Sequence, residues 1–485
     1  MDFTLRPYQS EFANNIALKL KEKRRVIACA ATGSGKTKTF VWITHKAVSV
    51  NKAVLILTES RSIFDQITSE FKNVIEIKAG VKTAEIKAGV IYIGMVQTLS
   101  NRKAMIKQFN ELNNNLLIIN DEAHIGTSTK LLKQLENAYL IGFTATPNWK
   151  EAKHLTDIYN DIVIGKQPAW LVENGYLSPY YHYARVTADL SGLKIKNGEF
   201  DKESQSEAFG NARVYNGIFD DLNKFSFYKC MVFCSSIEHA DNTAKALTEM
   251  GYNSVSIHSQ NPEAAYQMHQ FKTSREINVC VSVGQLTKGF DFPPVDLVIL
   301  NRATTSLPLY LQMVGRGSRI AKGKDKFTVV DYGDNAKRLG LWITDRDWKK
   351  LWCEKKKPRE KLEIEDYRAC DNCGFLLQKD DEVCPACGVK PIEKPKPKEK
   401  EPDTKLAELT ASYNGIRGKR LSQLTAKELM IYREFSGKKK FCIRIARSKG
   451  RSYFMEFLKL AGYKSAFANR FDFSEKLTFN DFILK

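Results

Sequence analysis

The sequence lacks any apolar run of about 18 residues, the length that a membrane-spanning helix requires, so no membrane span is expected. Its first seven residues also lack the basic and then apolar pattern of a secretory signal peptide. Cysteine is scarce, with ten in 485 residues, and only four of them form Cys-x-x-Cys pairs. This usage predicts a reducing cytoplasm and one metal site rather than a disulfide framework.

Acidic residues are outnumbered, with 55 Asp and Glu against 75 Lys and Arg, which gives a net charge of +20. Such an excess favours polyanions, nucleic acid before an anionic membrane. Residues 391–485 hold 22 Lys and Arg against 11 Asp and Glu, so +11 of the excess lies in the last fifth of the chain. This asymmetry predicts a separate polyanion contact in the C-terminal region.

Short apolar runs alternate with amphipathic stretches through the first 350 residues, and they lack the period-two alternation of half-exposed strands. The pattern predicts an α/β protein with two parallel sheets in series and a ligand cleft between them. The expected strands are Val26–Ala31, Ala53–Leu57, Val90–Met95, Leu116–Asn120, Tyr139–Phe143, Cys230–Cys234, Ser254–His258, Ile277–Val283, Leu297–Asn301 and Phe327–Asp331.

Changes in composition divide the chain into six expected parts. These are a first domain (1–165), a connector with helical decoration (166–226), a second domain (227–350), a cysteine module (365–391), a Pro/Lys linker (392–404) and a basic C-terminal region (405–485). The last part is expected to be mainly helical, with a short strand where Lys440–Arg447 alternates.

A glycine-rich segment follows the first expected strand and opens the expected helix Lys36–Ala47. Its residues are Thr32, Gly33, Ser34, Gly35, Lys36 and Thr37. Glycines allow backbone N–H groups to close around phosphates at a helix N-terminus. Lys36 is expected to reach the terminal phosphates and Thr37 to bind Mg²⁺. Ala30 replaces the first glycine of the strict pattern and is small enough to fit there.

Asp121 and Glu122 end the expected strand Leu116–Asn120. An isolated Asp-Glu pair is more often a solvated turn, but its place downstream of a phosphate loop favours catalysis. Asp121 is then expected to hold Mg²⁺, and Glu122 to orient and activate the attacking water.

Arg316 and Arg319 lie three residues apart, so they share one face if the segment is helical. Flanking glycines allow close approach, so both arginines are expected to meet charge developing on a γ-phosphate. The alternative is a basic surface helix, which explains neither the glycines nor Gln312.

In this order the segments resemble superfamily 2 helicases of the DEAD/DEAH-box type. The resemblance covers residues 3–335 and rests on segments 6–9, 31–37, 58–61, 94–99, 121–124, 144–146, 232–236, 283–291 and 312–319. It implies two tandem RecA-like domains, ATP and Mg²⁺ in their cleft and a nucleic-acid strand across both. It implies further nucleotide contacts at Tyr8, Gln9, Gly289, Asp291 and Gln312, coupling residues at His124, Thr144 and Thr146, and nucleic-acid contacts at Arg61, Thr98, Ser235 and Thr287.

The chain resembles RadD-like DNA-repair helicases, which share the segment Phe3–Gln9 and carry a late cysteine module. Phage-encoded helicases of similar layout are equally near, so the resemblance implies a bacterial cell or its phage as the source. DNA, single-stranded or branched, is the implied partner.

Four cysteines form two Cys-x-x-Cys turns, called knuckles below, which are separated by ten residues: Cys370, Cys373, Cys384 and Cys387. Two knuckles can offer four thiolates in the tetrahedron that structural Zn²⁺ takes, and four cysteines leave no open position for water. A redox pair or buried free thiols are the alternatives.

In the basic tail, lysines and arginines interleave with Phe435, Tyr453 and Phe454. The aromatic rings could stack on unpaired bases, or they could form a small core beneath a basic surface. The sequence does not separate these two interpretations.

The leading hypothesis is an ATP-dependent DNA helicase or translocase acting in repair, recombination or replication. An RNA helicase or a restriction-system motor is the alternative within the same class. A regulator that binds nucleic acid and uses ATP only as a switch is the alternative from another class.

Overall fold

The computed structural model describes residues 4–80, 85–147, 155–185, 188–284, 292–353, 368–377, 381–390, 415–416, 419–420, 423–436 and 439–463. These fall into two compact units, residues 1–391 and residues 392–485. None of the helices within those ranges is both long enough and apolar enough to cross a membrane.

The first sheet is entirely parallel, with strand order β3-β4-β2-β5-β6-β1-β7. Its strands are β1 (Arg25–Cys29), β2 (Ala53–Thr58), β3 (Ile75–Ile77), β4 (Ile91–Met95), β5 (Leu116–Asn120), β6 (Tyr139–Thr144) and β7 (Asp161–Ile164). The helices are α1 (Pro7–Lys23), α2 (Lys36–Ser49), α3 (Arg61–Ser69), α4 (Val96–Ser100), α5 (Lys103–Glu111), α6 (Thr129–Gln134) and α7 (Leu155–Ile158).

The central strands β2, β5 and β6 are apolar up to their last residues because both of their faces are buried. Every residue of β2 is buried, with Leu55 and Leu57 in one core cluster and Val54 and Ile56 in another. Helices therefore cover both faces of this sheet, and the loops at the C-terminal ends of its strands share one edge.

The second sheet is also parallel, with order β12-β13-β11-β14-β15-β8. Its strands are β8 (Tyr180–Ala184), β11 (Lys229–Phe233), β12 (Ser254–Ile257), β13 (Val279–Ser282), β14 (Val295–Leu300) and β15 (Phe327–Asp331). The helices after β7 are α8 (Pro168–Glu173), α9 (Lys202–Phe209), α10 (Ala212–Lys224), α11 (Ile237–Glu249), α12 (Ala264–Thr273), α13 (Leu307–Gly315), α14 (Asn335–Leu339) and α15 (Trp348–Cys353).

The segment expected to be a connector with helical decoration contains α8, α9 and α10, but it also contributes the edge strand β8 to the second sheet, where it pairs with β15. It also forms a hairpin of β9 (Ile195–Lys196) and β10 (Glu199–Phe200). The two-parallel-sheet α/β architecture itself is confirmed, and the fold of each domain agrees with the RecA-like expectation.

The described part of the second unit contains three helices, α16 (Ala426–Ser436), α17 (Lys439–Ser448) and α18 (Arg451–Leu460). The prediction of a short strand at Lys440–Arg447 is wrong, because that segment belongs to α17. Cys442, Ile445 and Ala446 are buried at the i, i+3, i+4 spacing of one helix face.

The aromatic residues described in this unit belong to its core. Phe454 is fully buried, and the partly buried Tyr453 donates its hydroxyl to the Leu424 carbonyl at 2.8 Å. The core interpretation is therefore confirmed for both rings. The side chain of Phe435 lies outside the described part of the chain, and the polyanion contact stays a prediction.

Candidate nucleotide-binding site between the two parallel sheets

The phosphate loop joins β1 to the N-terminus of α2. Gly33 and Gly35 adopt φ angles of +83° and +85°, in the left-handed region that side chains disfavour. A Cβ at Gly35 would also overlap the Gln9 amide. Lys36 begins α2 and places its ammonium 3.3 Å from the Ala30 carbonyl, beside the loop. Backbone N–H groups, a helix N-terminus and an ammonium group therefore meet where phosphates are expected.

Two side chains of α1 hold this loop from outside. The Tyr8 hydroxyl and the Gln9 Nε2 group both donate to the Ser34 carbonyl, at 2.8 and 3.0 Å. Burial raises the pKa of Tyr8, so its hydroxyl stays protonated. The rings of Trp170 and Tyr176 lie 5.8 and 4.7 Å from the Tyr8 ring. No motif in the sequence marks either ring; Trp170 lies within α8 and Tyr176 follows it.

Asp121 and Glu122 are held at the ends of the central strands. The Asp121 N–H bonds the Leu57 carbonyl at 3.0 Å, and the Ala123 N–H bonds the Phe143 carbonyl at 2.9 Å. Between them Glu122 takes a left-handed φ of +48°, a strained geometry for a non-glycine residue. Burial and the neighbouring Glu122 raise the pKa of Asp121 to about 7, while Lys36 opposes the shift. A cation bound at this carboxylate would favour its ionised form.

His124, Thr144 and Thr146 form a chain next to the carboxylates. His124 Nδ1 lies 3.1 Å from Thr144 Oγ1 and 3.3 Å from Glu122 Oε2. Thr144 Oγ1 also accepts from the Thr146 N–H at 3.1 Å. The Thr144 carbonyl bonds the Ala30 N–H, so one threonine links the carboxylate turn to the strand before the phosphate loop.

The arginine loop, residues 315–319, lies directly against the phosphate loop. A Cβ at Gly315 would be 2.8 Å from Thr32 Cβ, and one at Gly33 would be 3.1 Å from Ser318 Oγ and 3.7 Å from Arg319 Cγ. Arg316 and Gln312 are buried, with 5% and 6% exposure, and Arg319 is half-buried. The loops carrying Lys36 and the two arginines therefore face each other.

A partly buried lysine, Lys324, holds the arginine loop. The Lys324 ammonium donates to the carbonyls of Arg319 at 2.8 Å, Pro293 at 3.1 Å, and Gly317 and Val295 at 2.5 Å each. Burial lowers its pKa to about 7. No sequence motif marks this residue, because its partners are backbone carbonyls.

The expected nucleic-acid contacts occupy different environments. Arg61 is exposed and bonds Asp65 at 3.1 Å, and Thr98 is half-buried on α4. Ser235 is 2% exposed, and its hydroxyl lies 3.1 Å from His239 Nδ1, so it is engaged inside the second domain. Thr287, Gly289 and Asp291 lie outside the described residues.

The four cysteines come together in one cluster. Their Sγ atoms lie within 4.8 Å of one another, with Cys373–Cys384 at 3.6 Å and Cys370–Cys387 at 3.8 Å. Four sulfurs at about 2.3 Å from a tetrahedral zinc ion are about 3.8 Å apart, so the donor set fits zinc. The N–H groups of Gly374 and Gly388 close the knuckles onto the Cys370 and Cys384 carbonyls, at 2.8 Å each.

Gly315→Ala is expected to lower ATP turnover at least about tenfold, because the added methyl group would push the arginine loop away from Thr32 by about 1 Å. ATP affinity should change less, since Lys36 is untouched and Thr32 is only the first residue of the phosphate loop. Steady-state hydrolysis measures the effect. Gly192→Ala is the matched control, because a Cβ there meets open space. Wild-type turnover in Gly315→Ala would show that the contact has no catalytic importance.

Two family models match the chain. One is described as type III restriction enzyme, res subunit, and matches residues 2–149; the other, helicase conserved C-terminal domain, matches residues 215–321.

Three relatives illustrate the range of similar proteins. The chain is 29% identical to a 51.5 kDa protein of a Lactococcus phage, over 73% of this chain and 76% of that one. It is 28% identical to the "Putative mitochondrial ATP-dependent helicase irc3" of Schizosaccharomyces pombe, over 70% and 59% of the two chains. It is 26% identical to the type I restriction enzyme EcoAI endonuclease subunit of Escherichia coli, over 64% and 44%.

Among solved structures, a fragment of "a putative HsdR subunit of a type I restriction enzyme" from Vibrio vulnificus shares the fold. Its TM-score is 0.57 at 23% identity, with 70% of this chain and 66% of that chain covered. The chain thus spans about three fifths of the fission-yeast relative and under half of the EcoAI subunit. The matched domains, the relatives and the paired sheets agree, and the chain belongs to the superfamily 2 helicases, which are ATP-hydrolysing nucleic-acid motors.

Proposed function

We propose that this protein is a DNA-dependent ATPase that moves along one strand and unwinds or remodels DNA during repair, recombination or replication. The observation that carries the proposal is the contact between Thr32 and Gly315, where the arginine loop meets the phosphate loop. A net charge of +20 supports a polyanionic partner.

Each side chain in the cleft has a proposed role in hydrolysis. Lys36 neutralises the terminal phosphates, and Glu122 accepts a proton from the attacking water. Thr37 and Asp121 would hold Mg²⁺, which supplies positive charge beside the phosphates. Arg319, with Arg316 behind it, stabilises charge developing on the γ-phosphate, and this requires the two domains to be closed.

Closure and reopening provide the proposed coupling to movement. The His124–Thr144–Thr146 chain lies between Glu122 and the strand before the phosphate loop, so loss of the γ-phosphate can alter contacts in the first domain. Arg61, Thr98, Ser235 and Thr287 are the proposed contacts with the nucleic-acid strand. Ser235 would act by shaping its loop, because its hydroxyl is engaged with His239.

DNA is favoured over RNA by the relatives. Restriction-enzyme subunits are among them, and a structure with TM-score 0.50 and 16% identity shows the restriction-modification enzyme LlaBIII bound to DNA. RNA helicase activity is the second candidate, because an rRNA helicase of Candida albicans is 30% identical over 144 residues. An ATP-operated switch without movement is disfavoured by the presence of Glu122, Arg316 and Arg319, the residue types that hydrolysis requires.

The test is a panel of ATPase and strand-displacement assays on single-stranded DNA, duplex DNA, forks, overhangs and RNA hybrids. The proposal predicts hydrolysis stimulated most by DNA and displacement of a DNA strand, both absent in Lys36→Ala. Stimulation by RNA alone would favour the second candidate. Tight ATP-modulated binding with slow hydrolysis and no displacement would favour the switch.

A further inference from the structure

The four-cysteine module lies against the outer edge of the second sheet. Its Gly374 carbonyl accepts from the Ala184 N–H at 2.9 Å, and Phe375 forms an antiparallel bridge with Tyr183. The Phe375 ring also stands edge-on to Tyr181 and Tyr183, with centroids 5.4 and 5.6 Å apart. A Cβ at Gly374 would lie 3.0 Å from the Ala184 carbonyl, so the glycine permits this close approach.

The same strand β8 begins at the nucleotide site. Just before it, Leu177 Cδ2 lies 2.9 Å from where a Cβ of Gly33 would stand. The Ser178 N–H donates to the Ser318 carbonyl at 2.7 Å. Residues on the two sides of the cleft therefore both contact the start of β8. The module contacts Tyr181, Tyr183 and Ala184, which lie three to six residues after Ser178, about 10–20 Å along the strand at about 3.3 Å per residue.

We propose that the four-cysteine module is an intramolecular brace for β8. It pairs with the otherwise open edge of the sheet and keeps Leu177 and Ser178 in place against the phosphate loop and the arginine loop. Bound zinc would hold the two knuckles so that Gly374 and Phe375 stay presented to the strand. The expected effect on ATP binding and hydrolysis rests on the proposed function, whereas the contact between the module and β8 does not.

Hydrogen exchange of the zinc-loaded full-length protein tests the brace, with Phe375→Ala compared against wild type. Peptides covering residues 177–185 are expected to exchange about tenfold faster in the variant, because two aromatic contacts on β8 are lost. Zinc content, measured by mass spectrometry, should stay at one ion per chain. Val383→Ala is the matched control, since Val383 is 51% exposed on the same module, and it should change nothing.

Steady-state kinetics give a second readout. Phe375→Ala is expected to raise the KM for ATP and to lower kcat, each several-fold, because the brace positions both the phosphate loop and the arginine loop. If the variant retains zinc and its β8 peptides exchange as in the wild type, the proposal is overturned. If that variant also binds DNA more weakly, the module is a nucleic-acid contact instead.

A conservative variant covers the case in which Phe375→Ala loses zinc or unfolds. Phe375→Leu keeps apolar volume and should show a smaller rise in exchange with zinc retained; wild-type exchange in it would also overturn the brace. If the wild-type protein shows no DNA-stimulated hydrolysis, the proposed function fails, yet exchange and zinc content still decide the brace.

Discussion

Glu122→Gln is expected to lower the kcat for ATP hydrolysis by about 10²–10⁴-fold while ATP still binds. The amide keeps the size of the carboxylate but cannot accept the proton of the attacking water. The strained φ of Glu122 and its 3.3 Å approach to His124 indicate that the surrounding structure fixes this side chain in position. Hydrolysis with saturating single-stranded DNA measures kcat, and a fluorescent ATP analogue measures binding.

Glu136→Gln is the matched control for this change, because Glu136 is an exposed carboxylate in the same domain and away from the phosphate loop. It should hydrolyse ATP as the wild type does. Near wild-type DNA-stimulated turnover in purified Glu122→Gln would refute the assignment of the general base.

Arg319→Ala is expected to lower kcat by about 10³–10⁵-fold, the range that arginine contacts to a γ-phosphate contribute in related phosphoryl transfers. Arg319 is half-buried beside Gly33, so its removal takes away charge without opening the core. Arg316→Ala should lower kcat by a similar factor. Because Arg316 is buried, the thermal stability of this variant must be measured in parallel. Single-turnover hydrolysis separates the chemical step from DNA binding.

Lys322→Ala supplies the matched control for the arginines, because Lys322 is an exposed cation just after the same loop. Its loss should leave hydrolysis within about twofold of wild type, as expected for a solvated surface charge. Arg319→Ala with turnover close to that of the control would place the arginine outside the catalytic site.

The sequence alone was enough to predict the strands that are buried on both faces. Continuous apolar runs such as β2 and β5 have few alternatives, and the order of motifs around them predicted which loops would share the cleft. The edge strands β3, β7 and β8 were not predicted, because a half-exposed strand has no continuous apolar run. The segment Tyr180–Ala184 is rich in tyrosine, and only its pairing with β15 makes it part of the sheet.

The other features that the sequence did not predict depend on packing between residues far apart in the chain. The segment Lys440–Arg447 alternates locally, but burial of Cys442, Ile445 and Ala446 against neighbouring helices decides in favour of α17. Lys324 interacts with backbone carbonyls, which leave no trace in the residue pattern. The docking of Phe375 on β8 joins positions almost 200 residues apart, and no local pattern predicts such a contact.

Formation of a disulfide in the double variant Thr32→Cys/Gly315→Cys tests most directly whether the phosphate loop and the arginine loop meet. A Cβ at Gly315 would lie 2.8 Å from Thr32 Cβ, so a shift of about 1 Å gives the roughly 3.8 Å that a disulfide needs. Mild oxidation should join the two loops and stop ATP turnover, and reduction should restore it, while each single variant stays unlinked. Failure of the bond to form, with or without a non-hydrolysable ATP analogue, would contradict the shared site.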